Sequence, residues 1–183
     1  MILSIISAIA NNNEIGRKNE LLWDLPIDMK HFRETTSGHP VIMGQRTFES
    51  LGVDANGTPG RLLPNRRNII LTLNTNYKRE EVEVYYSIEE LEKSLQESMK
   101  EDEEAFIIGG GQIYKLFIDK ADKLYITHVN ASFPDADTYF PTIDKDKWEI
   151  INEDKHEKDE KNIYDCNFVI YEKNKTKYPL GLA

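Results

Sequence analysis

The feature that most constrains this chain is alternation: short runs of β-branched and apolar residues repeatedly give way to segments with a single apolar helical stripe. Strand-like runs fall at 2–9, 40–43, 68–73, 82–86, 105–108, 123–129, 147–154 and 163–172, and helix-like segments at about 26–36, 46–51, 87–100 and 112–118. In the third helix Ser87 and Glu90 are spaced as a capping box, and Ile88, Leu91, Leu95 and Met99 form one stripe over a charged back. Strands separated by helices cross over and pair in parallel, so the pattern predicts an α/β domain with a central, mostly parallel eight-stranded sheet and about four flanking helices. The last two strands differ. Residues 155–162 are nearly all charged and suit a hairpin loop, which predicts an antiparallel C-terminal edge strand. A chain of 183 residues fits one domain, taken as 1–173, with a tail at 174–183. The tail and the Gly-, Pro- and Asn-rich stretch 53–62 read as loosely ordered.

Composition excludes several classes. No apolar run approaches the roughly 20 residues of a membrane span, and the apolar start lacks the basic region of a secretory signal. A single cysteine, Cys166, excludes an internal disulfide framework and offers no zinc spacing, so no metal is expected and a reducing cytoplasm fits. The net charge of −9 argues against a nucleic-acid partner. Its distribution is uneven. Residues 46–79 hold six bases (Arg46, Arg61, Arg66, Arg67, Lys78, Arg79) against two acids (Glu49, Asp54), whereas 80–104 hold eleven acids and two lysines. A local basic stretch of that kind suits a small anion carrying phosphates or carboxylates.

One carboxylate stands in an apolar helix start. Pro26 suits a first helical turn, Asp28 and Phe32 share a face with Met29 beside them, and Lys30, Arg33 and Glu34 turn toward water. Asp28 is then either a solvated acid favoured by the helix dipole or a desolvated acid with a raised pKa, facing a hydrogen-bond-donating heterocycle. Two further strands end in glycine and enter helices: 41–44 leads into Gln45, Arg46 and Thr47, and 107–111 into Gln112, Ile113 and Tyr114. Glycine and free helix N–H groups admit phosphate, so two such mouths suggest a dinucleotide. The spacing is not G-x-G-x-x-G, and the absence of a Gly-Lys-Ser/Thr loop disfavours an ATPase. The polar loop 11–20 has Ile15 as its one large apolar residue before Leu21, and suits a lid over a flat cofactor.

Together and in order these features resemble bacterial dihydrofolate reductases. The matching landmarks are Ile15-Gly16; Trp23, Leu25-Pro26-x-Asp28 and Phe32; 40–50 with Gly44 and Thr47; Pro64-x-Arg66 before 68–71; Ile108-Gly109-Gly110-Gly111-x-x-Tyr114; and 124–128. They span about 1–172. The resemblance implies NADPH-dependent reduction of 7,8-dihydrofolate to tetrahydrofolate, by hydride transfer to pterin C6 with N5 protonation promoted by Asp28. It implies that Thr127 bonds the Asp28 carboxylate and that Trp23 holds a nearby water. Ile6, Met29, Phe32, Leu51, Leu63 and Ile108 become walls for the substrate, and Arg66 the clamp on its α-carboxylate. Ala8, Ile15, Gly16, Leu21, Gly44, Gln45, Arg46, Thr47, Leu71 and Thr72 become cofactor contacts, as do Ile108, Gly109, Gly110, Gly111, Gln112, Ile113 and Tyr114. A cis bond at Gly109-Gly110 and a cytoplasmic monomer also follow. Gln45 stands where related sequences usually carry Arg or Lys against the 2′-phosphate, and Leu73 where Ser or Thr is common, which predicts weaker preference for NADPH over NADH. The remaining readings are a pyrimidine reductase of riboflavin synthesis, which lacks the Trp23-to-Asp28 constellation, and a silent nucleotide-binding protein.

Overall fold

Period-two burial assembles the sheet. In the computed structural model, which describes residues 1–174, β1 (Ile2–Ile9) sends Ile5 to one face and Ile6 to the other. The chain continues through β2 (Glu14–Gly16), α1 (Pro26–Thr36), β3 (Pro40–Gly44), α2 (Gln45–Ser50), β4 (Arg67–Leu71), β5 (Glu83–Tyr85) and α3 (Ile88–Ser98). It ends with β6 (Glu104–Gly109), α4 (Gly111–Phe117), β7 (Lys123–Val129), β8 (Thr138–Tyr139), β9 (Trp148–His156) and β10 (Cys166–Lys173). The expected tail beyond Asn174 lies outside the described residues.

The main sheet has eight strands in the order β5-β4-β3-β6-β1-β7-β10-β9. Strands from β5 to β7 pair in parallel, and β10 is antiparallel to both β7 and β9. The antiparallel C-terminal strand is therefore present, but it lies between β7 and β9, and β9 forms the border. Ile42, Ile69 and Ile107 join Ile5 under α3 and α4, while their neighbours Val41, Ile70 and Phe106 join Ile6 under α2. The chain leaves β1 toward β3 and leaves β6 toward β7, in opposite directions. That reversal opens a crevice at the carboxyl ends of the parallel strands.

Local chemistry sets the helix limits. Pro26 begins α1 with its missing N–H at no loss, and the Ser37 N–H closes the end on the Arg33 carbonyl. Ser87 caps α3 by accepting from the Glu90 N–H at 3.1 Å, while the Glu90 carboxylate reaches the N–H of Tyr86 at 3.4 Å instead of that of Ser87. Only half of the expected capping box forms. The two short strands β2 and β8 pair antiparallel with each other and have no counterpart in the sequence reading, being too short for any period.

Residues 53–62 correct an expectation. Val53 bridges Pro59, the Asp54 carboxylate accepts from the N–H groups of Asn56 and Thr58, and Arg79 clasps the loop through Asp54 at 2.7 Å and the Gly60 carbonyl at 3.1 Å. The composition signals a loop, but a cation from outside it supplies the order. Among the described residues no helix is long and apolar enough to cross a membrane, and no His, Cys, Asp and Glu cluster could hold a metal ion.

Candidate active site

A cavity of about 490 Å³ opens in the crevice. Its floor comes from the carboxyl end of β1 (Ile6, Ser7, Ala8), and one wall from Asp28, Met29 and Phe32 of α1. The lid side brings Ile15, Gly16, Asn19, Glu20, Leu21 and Trp23, and the opposite side Thr47, Ser50, Leu51, Ile108, Gly109, Gly110, Tyr114 and Thr138. Fifteen of the residues expected from the sequence therefore share this cavity. Ser7, Asn19, Glu20, Ser50 and Thr138 were missed, since isolated polar residues in loops and at element ends carry no pattern.

Asp28 is half-buried. Burial raises its pKa; the hydrogen bond with the Thr127 side chain and the nearby His31 oppose that rise. Among the described residues no Lys or Arg pairs with it. Burial therefore favours the desolvated reading of this acid, which lines the cavity. Thr127 is 2% exposed and sits under this contact on β7. Trp23 stacks at 5.5 Å on Phe133 while lining the cavity. His31 packs against Phe168 at 4.5 Å and His128 meets the Tyr171 hydroxyl at 2.8 Å, so neither histidine faces the cavity.

The two glycine turns lie side by side because β3 pairs with β6, with Met43 opposite Gly109. A Cβ on Gly44 would come within 3.1 Å of Ile113, one on Gly110 within 3.1 Å of Thr47 Oγ1, and one on Gly111 within 2.9 Å of Thr138. The peptide bond Gly109-Gly110 is cis. Tyr114 braces this corner by donating its hydroxyl to the Ile6 carbonyl at 2.9 Å. One extended ligand can touch both turns and still reach Asp28, so the residues present fit a dinucleotide such as NADPH.

Other expected residues lie off the cavity wall. Leu71 and Ile113, 6% and 8% exposed, pack in the core and are not part of the cavity lining. Leu63 packs with Phe32 and Leu51 against the other core cluster. Gly44, Gln45, Arg46, Thr72, Gly111 and Gln112 do not line the cavity, and Arg46 is exposed. Thr72 Oγ1 donates to Gln45 Oε1 at 2.9 Å, and Gln45 Nε2 donates to Glu49 at 2.8 Å. Arg66 lies over the Phe32 ring at 5.7 Å, outside the cavity proper. It donates Nε to Thr36 Oγ1, Nη1 to the Pro64 carbonyl and Nη2 to the Arg33 carbonyl, at 2.9, 2.9 and 3.1 Å. A guanidinium has five N–H donors, so one remains on each terminal nitrogen, the fork a carboxylate accepts. Neighbouring Arg67 is spent on Glu83, at 2.6 Å for Nη2.

Fold and cavity together define a class: α/β reductases that lay an extended cofactor over the carboxyl ends of a parallel sheet and present one acid to a flat second ligand. The family model described as dihydrofolate reductase matches residues 2–173. The chain is 41% identical over 169 residues to dihydrofolate reductase type 3 of Salmonella typhimurium, covering 92% of this chain and 96% of that one. It is 38% identical over 172 residues to the Bacillus subtilis (strain 168) dihydrofolate reductase, covering 94% and 95%. A solved dihydrofolate reductase from Enterococcus faecalis, complexed with NADP(H) and RAB-propyl, superposes with a TM-score of 0.81 at 35% identity, covering 94% and 96%. The chain belongs to the dihydrofolate reductase family.

Proposed function

We propose that this protein reduces 7,8-dihydrofolate to 5,6,7,8-tetrahydrofolate with NADPH, one proton being taken up from solvent. The observation that carries the reading is Asp28: a single desolvated acid, bonded by Thr127, in the same cavity as the Gly109-Gly110 turn. Bound NADPH supplies the hydride, which is added at pterin C6. The protein contributes alignment and field. Asp28 accepts from the pterin amino group and ring nitrogen and favours a proton at N5, delivered through water beside Trp23. Ile6, Met29, Phe32 and Leu51 sandwich the flat rings and exclude bulk water, and Thr127 fixes the carboxylate's orientation. Arg66 takes the substrate's α-carboxylate with its two remaining donors. Ile15 and Gly16 cover the nicotinamide, and the two glycine turns take the pyrophosphate.

The lone buried cysteine and the net charge of −9 support a cytoplasmic enzyme that takes small molecules and not nucleic acid, and we read it as a monomer. The test is direct. Mixing the protein with NADPH and dihydrofolate should remove the NADPH absorbance and yield tetrahydrofolate; no turnover with dihydrofolate sinks the reading.

A further inference from the structure

Among the described residues Glu14 is the only charged side chain that is fully covered, at 2% exposed. It lies in the stem of the lid loop, one residue before Ile15. No cation meets it. Its Oε2 accepts from the Asn12 backbone N–H at 2.7 Å, and its Oε1 from Asn12 Nδ2 and the Phe133 N–H, both at 3.0 Å. Burial opposes the charge, but the bonds from Phe133 and Asn12 outweigh it and hold the pKa down to about 2. The carboxylate is therefore ionised wherever the enzyme works.

The partners belong to two separate segments. Asn12 is in the lid stem and Phe133 in the stretch after β7, and Asn11 adds a second tie through its N–H to the Ala131 carbonyl at 2.9 Å. Beyond Phe133 lies the cavity: its ring packs at 5.5 Å on Trp23 and at 6.0 Å on Tyr164. Trp23 and Ile15 both line the cavity that holds Asp28.

We propose that Glu14 is a positioning residue: its carboxylate clamps the lid stem to the 131–133 segment, and the clamp holds Ile15 directly and Trp23 through Phe133. The inference rests on the reductase reading for its kinetic part. Glu14→Gln keeps the volume but turns an NH₂ group toward one of the N–H donors, and Phe133→Leu breaks the path one step further on.

Both variants are compared with the wild type, with 5-fluorotryptophan giving one fluorine resonance for Trp23 and one for Trp148. In ligand-free Glu14→Gln the Trp23 resonance should shift or split while that of Trp148 stays. Single-turnover hydride transfer should fall by about 10- to 100-fold, the scale of a slightly misplaced reacting pair. The dihydrofolate Kd should stay within about threefold. Phe133→Leu should reproduce all three effects, and the double variant should be no worse than the more severe single one. An unmoved Trp23 resonance, or an unchanged transfer rate, in a folded Glu14→Gln protein overturns the proposal; should that variant not fold, the same results in Phe133→Leu decide. Absence of turnover in the wild type would defeat the reductase reading, while the ligand-free resonance still tests the clamp.

Discussion

Asp28 is held in surroundings that disfavour its own charge. Burial makes the folded protein bind the Asp28 proton more tightly than the unfolded chain does. The contribution of Asp28 to stability is therefore fully present below the ordinary carboxylate value of 3.8 and is lost as pH rises through the raised one. Asn mimics the protonated form, so Asp28→Asn should raise Tm at pH 7, by roughly 2–4 °C for each kcal/mol recovered, and the gain should close below pH 3.8. The same change should lower turnover by roughly 10²- to 10⁴-fold, with partial recovery at low pH where substrate arrives protonated. Near-normal turnover at pH 7 would remove Asp28 from the chemistry. Gln45 supplies the second residue-scale prediction. Its amide is neutral and already tied between Thr72 and Glu49, so it adds no positive charge for a 2′-phosphate. Gln45→Arg should raise the ratio of kcat/KM for NADPH over NADH by about tenfold, one charge-assisted bond's worth. An unchanged ratio would place discrimination elsewhere.

At the scale of elements, legibility in the sequence followed length. The helix at 26–36 and the strand at 123–129 carry a period over several residues and a strong punctuation mark, and both form as read. Strands β2 and β8, three and two residues long, carry no period. The 53–60 loop was opaque for another reason: its order comes from Arg79, 25 residues from Asp54. Gly60 records how tightly that loop is pressed on α2. Its φ is +103°, and a Cβ there would lie 2.2 Å from Phe48 Cε1. Gly60→Ala should therefore destabilise the fold by about 1–3 kcal/mol, read as a lower urea midpoint at unchanged slope. An unchanged midpoint would mean that the loop is not packed on Phe48. Arg66, strung between α1 and the start of β4, tests the same corner functionally. Arg66→Ala should weaken dihydrofolate by about 10- to 100-fold yet leave a pterin without the glutamate nearly unaffected. Equal losses would put the clamp elsewhere.

The whole molecule carries −9 while its proposed ligands are anions, so the long-range field opposes encounter. Most of the cavity lining was legible because Asp28 and the two glycine turns are punctuated residues of special chemistry, whereas Arg66 stands outside that cavity and the basic stretch was legible only as a sum. Folding divides that sum. Arg67 is paired with Glu83 and Arg79 with Asp54, so of that stretch Arg46, Arg61, Arg66 and Lys78 remain, with Arg33 beside Arg66. Which field a ligand feels depends on range. At about 0.1 M salt the screening length is about 10 Å, and an approaching anion senses mainly those local cations. At about 0.01 M it is about 30 Å, and the acidic α3 side contributes as well. For most enzymes with anionic ligands low salt speeds association; here kcat/KM for NADPH should rise between about 0.01 M and 0.1 M before any decline at higher salt. A monotonic fall from the lowest salt would mean that the local cations outweigh the net charge at every distance, and that the charge asymmetry of the chain steers its ligands instead of repelling them.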